Sequence, residues 1–176
     1  MLLVLAAGFL AGSAAGALAG SAAFDLVPQL LAEDGSVYGG GSYAALLLDC
    51  SAAHLLTLLF STSVFGVLLI PAAMAMRGFT LACSAAWLAA AWPGDGWALA
   101  LAVLALPALF TVPSLFVTAQ SGMAFSLRLL GAYTRRAPPM PRRRGDGRAA
   151  AVALMLLAAA GVEYFIVPTL VRLILK

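Results

Sequence analysis

Apolar residues run along this chain in long unbroken blocks. They show neither the alternation of a half-buried strand nor the single stripe of a helix lying on water. The first block, Met1 to Ala23, carries no charged side chain, and the last runs from Ala149 to Leu175. A bilayer core of about 30 Å needs roughly 20 apolar residues per helix, so each of these predicts one span. Ser21-Ala22-Ala23 would suit a signal peptidase, but no basic segment precedes the apolar run, and a retained span is the reading taken. Ser42 to Trp92 is too long for one span and predicts two, with the turn between them somewhere from Ser61 to Gly78. After Pro93-Gly94-Asp95-Gly96, the block from Trp97 to Tyr133 would make a helix of roughly 55 Å at 1.5 Å per residue. With Pro107 and Pro113 inside it, that block is expected to be kinked, tilted or partly re-entrant. The expectation is an all-α polytopic membrane bundle of about five transmembrane helices with proline-broken segments, forming a single integral-membrane domain over residues 1–176.

Composition strengthens this reading. The chain is 64% hydrophobic and 10% charged, against about 25% charged in an ordinary soluble domain. Within FGVLLIPAAMAMRGF, Phe65 to Phe79, only Pro71 and Arg77-Gly78 interrupt the hydrocarbon. Arg77 is expected at a polar edge, where the chain turns or the guanidinium snorkels. The net charge is +3, and its placement predicts topology. Arg128, Arg135, Arg136, Arg142, Arg143, Arg144 and Arg148 cluster at or between the ends of the last two blocks, whereas Phe24–Gly41 and Pro93–Gly96 contain acidic residues and no basic one. The Arg135–Arg148 loop is therefore expected in the cytoplasm, with the N-terminus inside and the C-terminus outside. Arg172 and Lys176 run mildly against that rule. An arginine loop of this kind predicts contact with anionic membrane lipids rather than with nucleic acid. The Phe24–Gly41 loop is too short to fold alone and is expected to cap the bundle.

Candidate chemistry is sparse. Gly8, Gly12, Gly16 and Gly20 recur every four residues in the first block, forming a groove on one helix face where another backbone can come close. Packing within the chain is the favoured occupant, and a partner protein the other. Glu163 lies deep in the last block, and an ionisable group at that depth is a functional hypothesis in itself. Its candidate partners are Arg77, Arg128, His54 or a carbonyl freed by a proline. A helix lock is the plainer role and a proton or ion relay the sharper one. Asp49 and His54 are five apart and share a helix face poorly, and with Cys50 and Cys83 they offer no converging metal ligands. One histidine leaves no Ser/His/Asp triad, and no GxxxxGK[ST] loop exists. Neither an enzyme nor a cofactor or metal site is expected. Gln120, Ser121 and Ser126 look like polar residues that pack helices.

Three blocks carry a family resemblance. SVFGVLLIPAAMAMRGFTL, Ser63 to Leu81, resembles a small-Gly element, an Ile-Pro, an apolar run and then Arg-Gly-Phe. AFSLRLL, Ala124 to Leu130, and EYFIVP, Glu163 to Pro168, follow in matching order and spacing. On these blocks the chain resembles the stage II sporulation protein M family of bacterial multi-pass membrane proteins. It departs from that family in lacking a basic arm before the first span, in its short first outer loop, and in LPALFTVP, where amide side chains often follow the first proline. The resemblance implies a non-enzymatic scaffold for peptidoglycan remodelling during forespore engulfment. Such a scaffold holds an amidase/endopeptidase and a lytic transglycosylase at the membrane. It also implies that Arg77, Gly78, Glu163 and Pro168 are structural determinants; Pro71 and Arg128 are expected to serve helix packing as well. The alternative from a different class is a transporter or channel subunit using Glu163 and Arg77 at proline-broken helices.

Overall fold

The computed structural model describes residues 1–22, 43–91, 94, 96–134 and 146–174. The expectations for the Phe24–Gly41 loop and for Arg135 to Arg144 lie outside these residues. Among the described residues the chain is helical throughout, with no strand. The helices are α1 (Leu2–Ala22), α2 (Tyr43–Ser61) and α3 (Gly66–Ala91), followed by two rods that each contain a π-helical turn. In α4, Gly96–Ala100 passes through a π turn at Leu101–Ala105 into Leu106–Tyr133; in α5, Asp146–Gly161 passes through Val162–Ile166 into Val167–Ile174.

Four of these helices, all but α2, are long and apolar enough to cross a membrane. α2 has 19 residues, so at 1.5 Å per residue it reaches roughly the thickness of the hydrocarbon core. Large apolar side chains stand on the outside of the bundle: Leu3 is 83% exposed and Leu68 76%. A protein surrounded by water would not leave whole helices this apolar on their outer faces, so these faces meet lipid.

The α2–α3 connection is short. It runs through residues 62–65, tied by the Thr62 and Ser63 amides donating to the Leu59 and Phe60 carbonyls. Arg77 therefore does not mark a turn, one of the two placements expected from the sequence. It sits in the interior of α3, eleven residues after Gly66. Pro71 lies one turn into the same helix, where α3 continues through it. The long fourth block is one continuous rod and does not re-enter.

The core lies where α1, α3 and α4 meet. Leu5, Ile70, Met74, Leu115, Ala119 and Met123 are buried together, with Phe9 set edge-on to Phe116 at a centroid separation of 5.8 Å. The α1–α3 interface is the most extensive in the bundle. Its register follows the glycines: Gly8 faces Pro71, Gly12 faces Ala75, Gly16 faces Phe79 and Gly20 faces Cys83, so the two helices run parallel. From the other side, Gly78 faces the Phe9 carbonyl. Removing the β-carbons at these positions lets the two backbones touch, and dispersion between them replaces side-chain packing. The glycine groove of α1 is thus filled by α3 of the same chain. A second core cluster, Leu88, Leu99 and Ala100, closes the end of the bundle where α3 passes to α4.

Candidate intramembrane polar site

Two prolines prepare the site. Pro107 and Pro168 each have no amide hydrogen, so the carbonyl four residues earlier loses its α-helical donor. In both helices the chain responds in the same way. A π turn, Leu101–Ala105 or Val162–Ile166, ends two residues before the proline, and the Leu106 and Val167 amides reach back to the Leu101 and Val162 carbonyls. A π turn carries one extra residue and widens the helix locally, which re-aims the neighbouring side chains.

The two π turns and the middle of α3 bound a cavity of about 160 Å³. Arg77, Thr80 and Ser84 line it from α3, Val103, Leu104, Pro107 and Thr111 from α4, Cys50 from α2 and Glu163 from α5. Arg77 and Glu163, 86 positions apart in sequence, therefore face the same space near the middle of their helices, and both are half-buried. The Cys50 thiol donates to Glu163 Oε2 at 3.3 Å. Tyr43, further along α2, donates to the Leu157 carbonyl at 3.2 Å and packs edge-on against Tyr164, fixing α2 against the π turn of α5.

Of the partners expected for Glu163, Arg77 shares its cavity, while Arg128 is exposed on α4 and lies apart from it. The hydrogen-bonding partner is Cys50, which the sequence did not suggest as a partner for Glu163. His54, one turn along α2 from Cys50, is buried, and its Nε2 lies 2.9 Å from Ser114 Oγ on α4. Ser114 in turn donates to the Thr111 carbonyl at 2.9 Å. Thr111, Ser114 and Thr118 are all buried, and with Ser121 they recur at intervals of three, four and three residues on one face of α4. That hydroxyl ladder was open to discovery in the sequence, because its spacing is helical.

Ser126 is a packing residue, as expected. Its hydroxyl donates to the Ser61 carbonyl at 3.1 Å and lies against Gly66, pinning α4 to the α2–α3 turn. Pro168 acts through the π turn before it, and Gly78 through its approach to α1. Among the described residues no group of three or more His, Cys, Asp or Glu is placed to hold a metal ion.

Chemically, the site joins a cation, a carboxyl group, a thiol and several hydroxyls inside an apolar bundle. In hydrocarbon such groups are costly unless they pair with one another or face a hydrated space. The Thr111 hydroxyl oxygen is buried without a hydrogen-bond partner among the described residues, and Thr111 lines the cavity. No family model, curated protein or solved structure matches this chain.

Proposed function

We propose that this chain is a non-enzymatic integral-membrane scaffold for peptidoglycan remodelling, the role implied by its resemblance to stage II sporulation protein M. In this reading it holds a membrane-anchored amidase/endopeptidase and a lytic transglycosylase during engulfment. Its N-terminus and arginine loop are cytoplasmic, and its C-terminus lies outside. One observation supports the reading: the three blocks that carry the resemblance, distant in sequence, meet in space. Ser126 of the second block bonds the turn that leads into the first and touches Gly66 within it. Arg77 of the first block shares a cavity with Glu163 of the third. Because α3 fills the glycine groove of α1, partners would dock on an outer face of the bundle. Affinity purification of the tagged chain from detergent-solubilised, engulfing cells is expected to bring down both hydrolases. Recovery of neither would overturn the reading.

A second reading has its own observation in support. Two π-distorted helices set Arg77 and Glu163 around one polar space at mid-helix, and irregular helices beside buried charge are how transporters build solute and ion sites. This favours a transporter or channel subunit.

A further inference from the structure

Arg77 of α3 and Glu163 of α5 line one cavity of about 160 Å³, yet the two side chains close no ion pair across it. Among the described residues the Arg77 guanidinium makes no hydrogen bond. Glu163 is bonded through Oε2 alone, which accepts from the Cys50 thiol at 3.3 Å, and its Oε1 has no donor among the described residues. Thr111 of α4, only 3% exposed, lines the same space with a hydroxyl that has no partner among the described residues. Three polar groups from three helices thus stand around one gap, each at mid-helix, where hydrocarbon makes an unpaired polar atom costly.

We propose that this cavity binds a small zwitterionic solute of the amino-acid kind, with its carboxylate on Arg77 and its ammonium group on Glu163. The proposal rests on the second functional reading, whose solute it names. Charge decides the class. The site carries one positive and one negative group that do not neutralise each other by contact, and a solute with both signs pairs each of them. An anion would satisfy Arg77 but set a second negative charge beside Glu163, and a cation would satisfy Glu163 but crowd Arg77. Either leaves one net charge inside the bundle, which apolar surroundings penalise. A zwitterion leaves none.

Hydrogen-bonding capacity agrees with charge. A guanidinium presents its N–H donors in a planar fork that takes a carboxylate bidentately. An ammonium group has three donors and no acceptor, and Glu163 Oε1 and Thr111 Oγ1 offer acceptors from two different helices. Thr80 lines the cavity too; its hydroxyl donates to the Arg77 carbonyl at 3.0 Å, so its oxygen keeps the capacity to accept. Size narrows the solute further. The cavity exceeds the ~10–15 Å³ that holds one water and falls below the ~300–1,000 Å³ of sites for drug-sized ligands, which suits a handful of heavy atoms, as in glycine or alanine. Glu163 itself belongs to the π turn of α5, and Val103 and Leu104 to that of α4, so both distorted segments form the wall.

The test measures binding to the purified full-length chain in detergent, with radiolabelled glycine and alanine as probes. Acetate and methylammonium, the two halves of glycine, serve as competitors. Saturable binding of at least one amino acid is expected, and each half is expected to compete ~10-fold or more weakly, since each forgoes one charge-assisted contact. Arg77→Gln and Glu163→Gln are each expected to weaken binding by ~10-fold or more. Thr111→Val keeps the shape of the side chain and is expected to weaken binding ~3–10-fold; it is the readout if neither charge variant purifies as a monodisperse species. No saturable binding of either amino acid, competition by acetate or methylammonium as strong as by glycine, or unchanged affinity in the folded variants overturns the proposal. Counterflow of labelled amino acid into loaded liposomes separates it from the reading on which it rests. Glu163-dependent sodium or chloride flux without amino-acid binding removes the zwitterion and leaves the transporter reading standing; binding without counterflow keeps the ligand and removes transport.

Discussion

At the scale of single residues, what a glycine does here depends on what stands opposite its missing β-carbon. A methyl group placed on Gly12 or Gly16 would run into the backbone of Ala75 or Phe79, which cannot move aside as a flexible side chain can. At Gly161 a β-carbon would meet nothing within 4 Å. Gly16→Val is therefore expected to destabilise the bundle by about 1–3 kcal/mol or more, as overpacking against an unyielding neighbour does. Gly161→Ala is expected to gain about 0.5–1 kcal/mol by restricting the unfolded chain within a helix. Unfolding in mixed micelles against increasing SDS measures both, and equal effects at the two sites would contradict the packing described. The four-residue spacing of α1 was legible in the sequence, because it is a property of one helix. That α3 fills the groove was not, since several other spans present small residues too.

At the scale of elements, the prolines of α4 and α5 act through the π turns before them. The sequence predicts a kinked, tilted or partly re-entrant segment around Pro107 and Pro113; both helices instead stay continuous, and the missing amides of Pro107 and Pro168 are absorbed by widening. The consequence is directional, because an extra residue in a turn rotates whatever follows. Restoring the amide with Pro168→Ala is expected to let Val162–Ile166 relax toward an α-helix, swinging Glu163 away from the cavity while raising resistance to unfolding. If the transporter reading holds, ion flux in liposomes falls in Pro168→Ala as far as it does in Glu163→Gln. Preserved flux in both variants, with the protein monodisperse, would remove Glu163 from any transport role. The prolines were plain in the sequence, but the choice between a break and a π turn was not. It depends on whether neighbouring helices hold both halves in line, as α2 does through Tyr43 against Leu157 and Tyr164.

At the scale of the whole molecule, α1 and α3 run parallel, and α2 and α4 return beside them. The ends of α2 and α4 meet at Ser61 and Ser126, on the side where α3 begins. Arg148, at the start of α5, belongs to the same side, the one that the proposed topology puts in the cytoplasm. Protease added to intact cells is expected to spare the segment from Arg135 to Arg148 and to cut it once the membrane is opened. Cleavage in intact cells would invert the assignment.

The sequence by itself determined that the chain lives in lipid, roughly where each helix lies, and which face of α1 permits close approach. Each of these follows from local hydrophobicity, from proline and glycine, or from helical spacing along a single segment. Tertiary structure alone decided that Arg77 sits within a helix, that it shares a cavity with Glu163, and that Cys50, His54 and Ser114 join the polar system. The physical reason is that in hydrocarbon every apolar face is equally content against lipid. Which helix stands beside which is then settled by backbone fit and by the few polar groups that must find one another, and those are pairings between distant segments that no local pattern records.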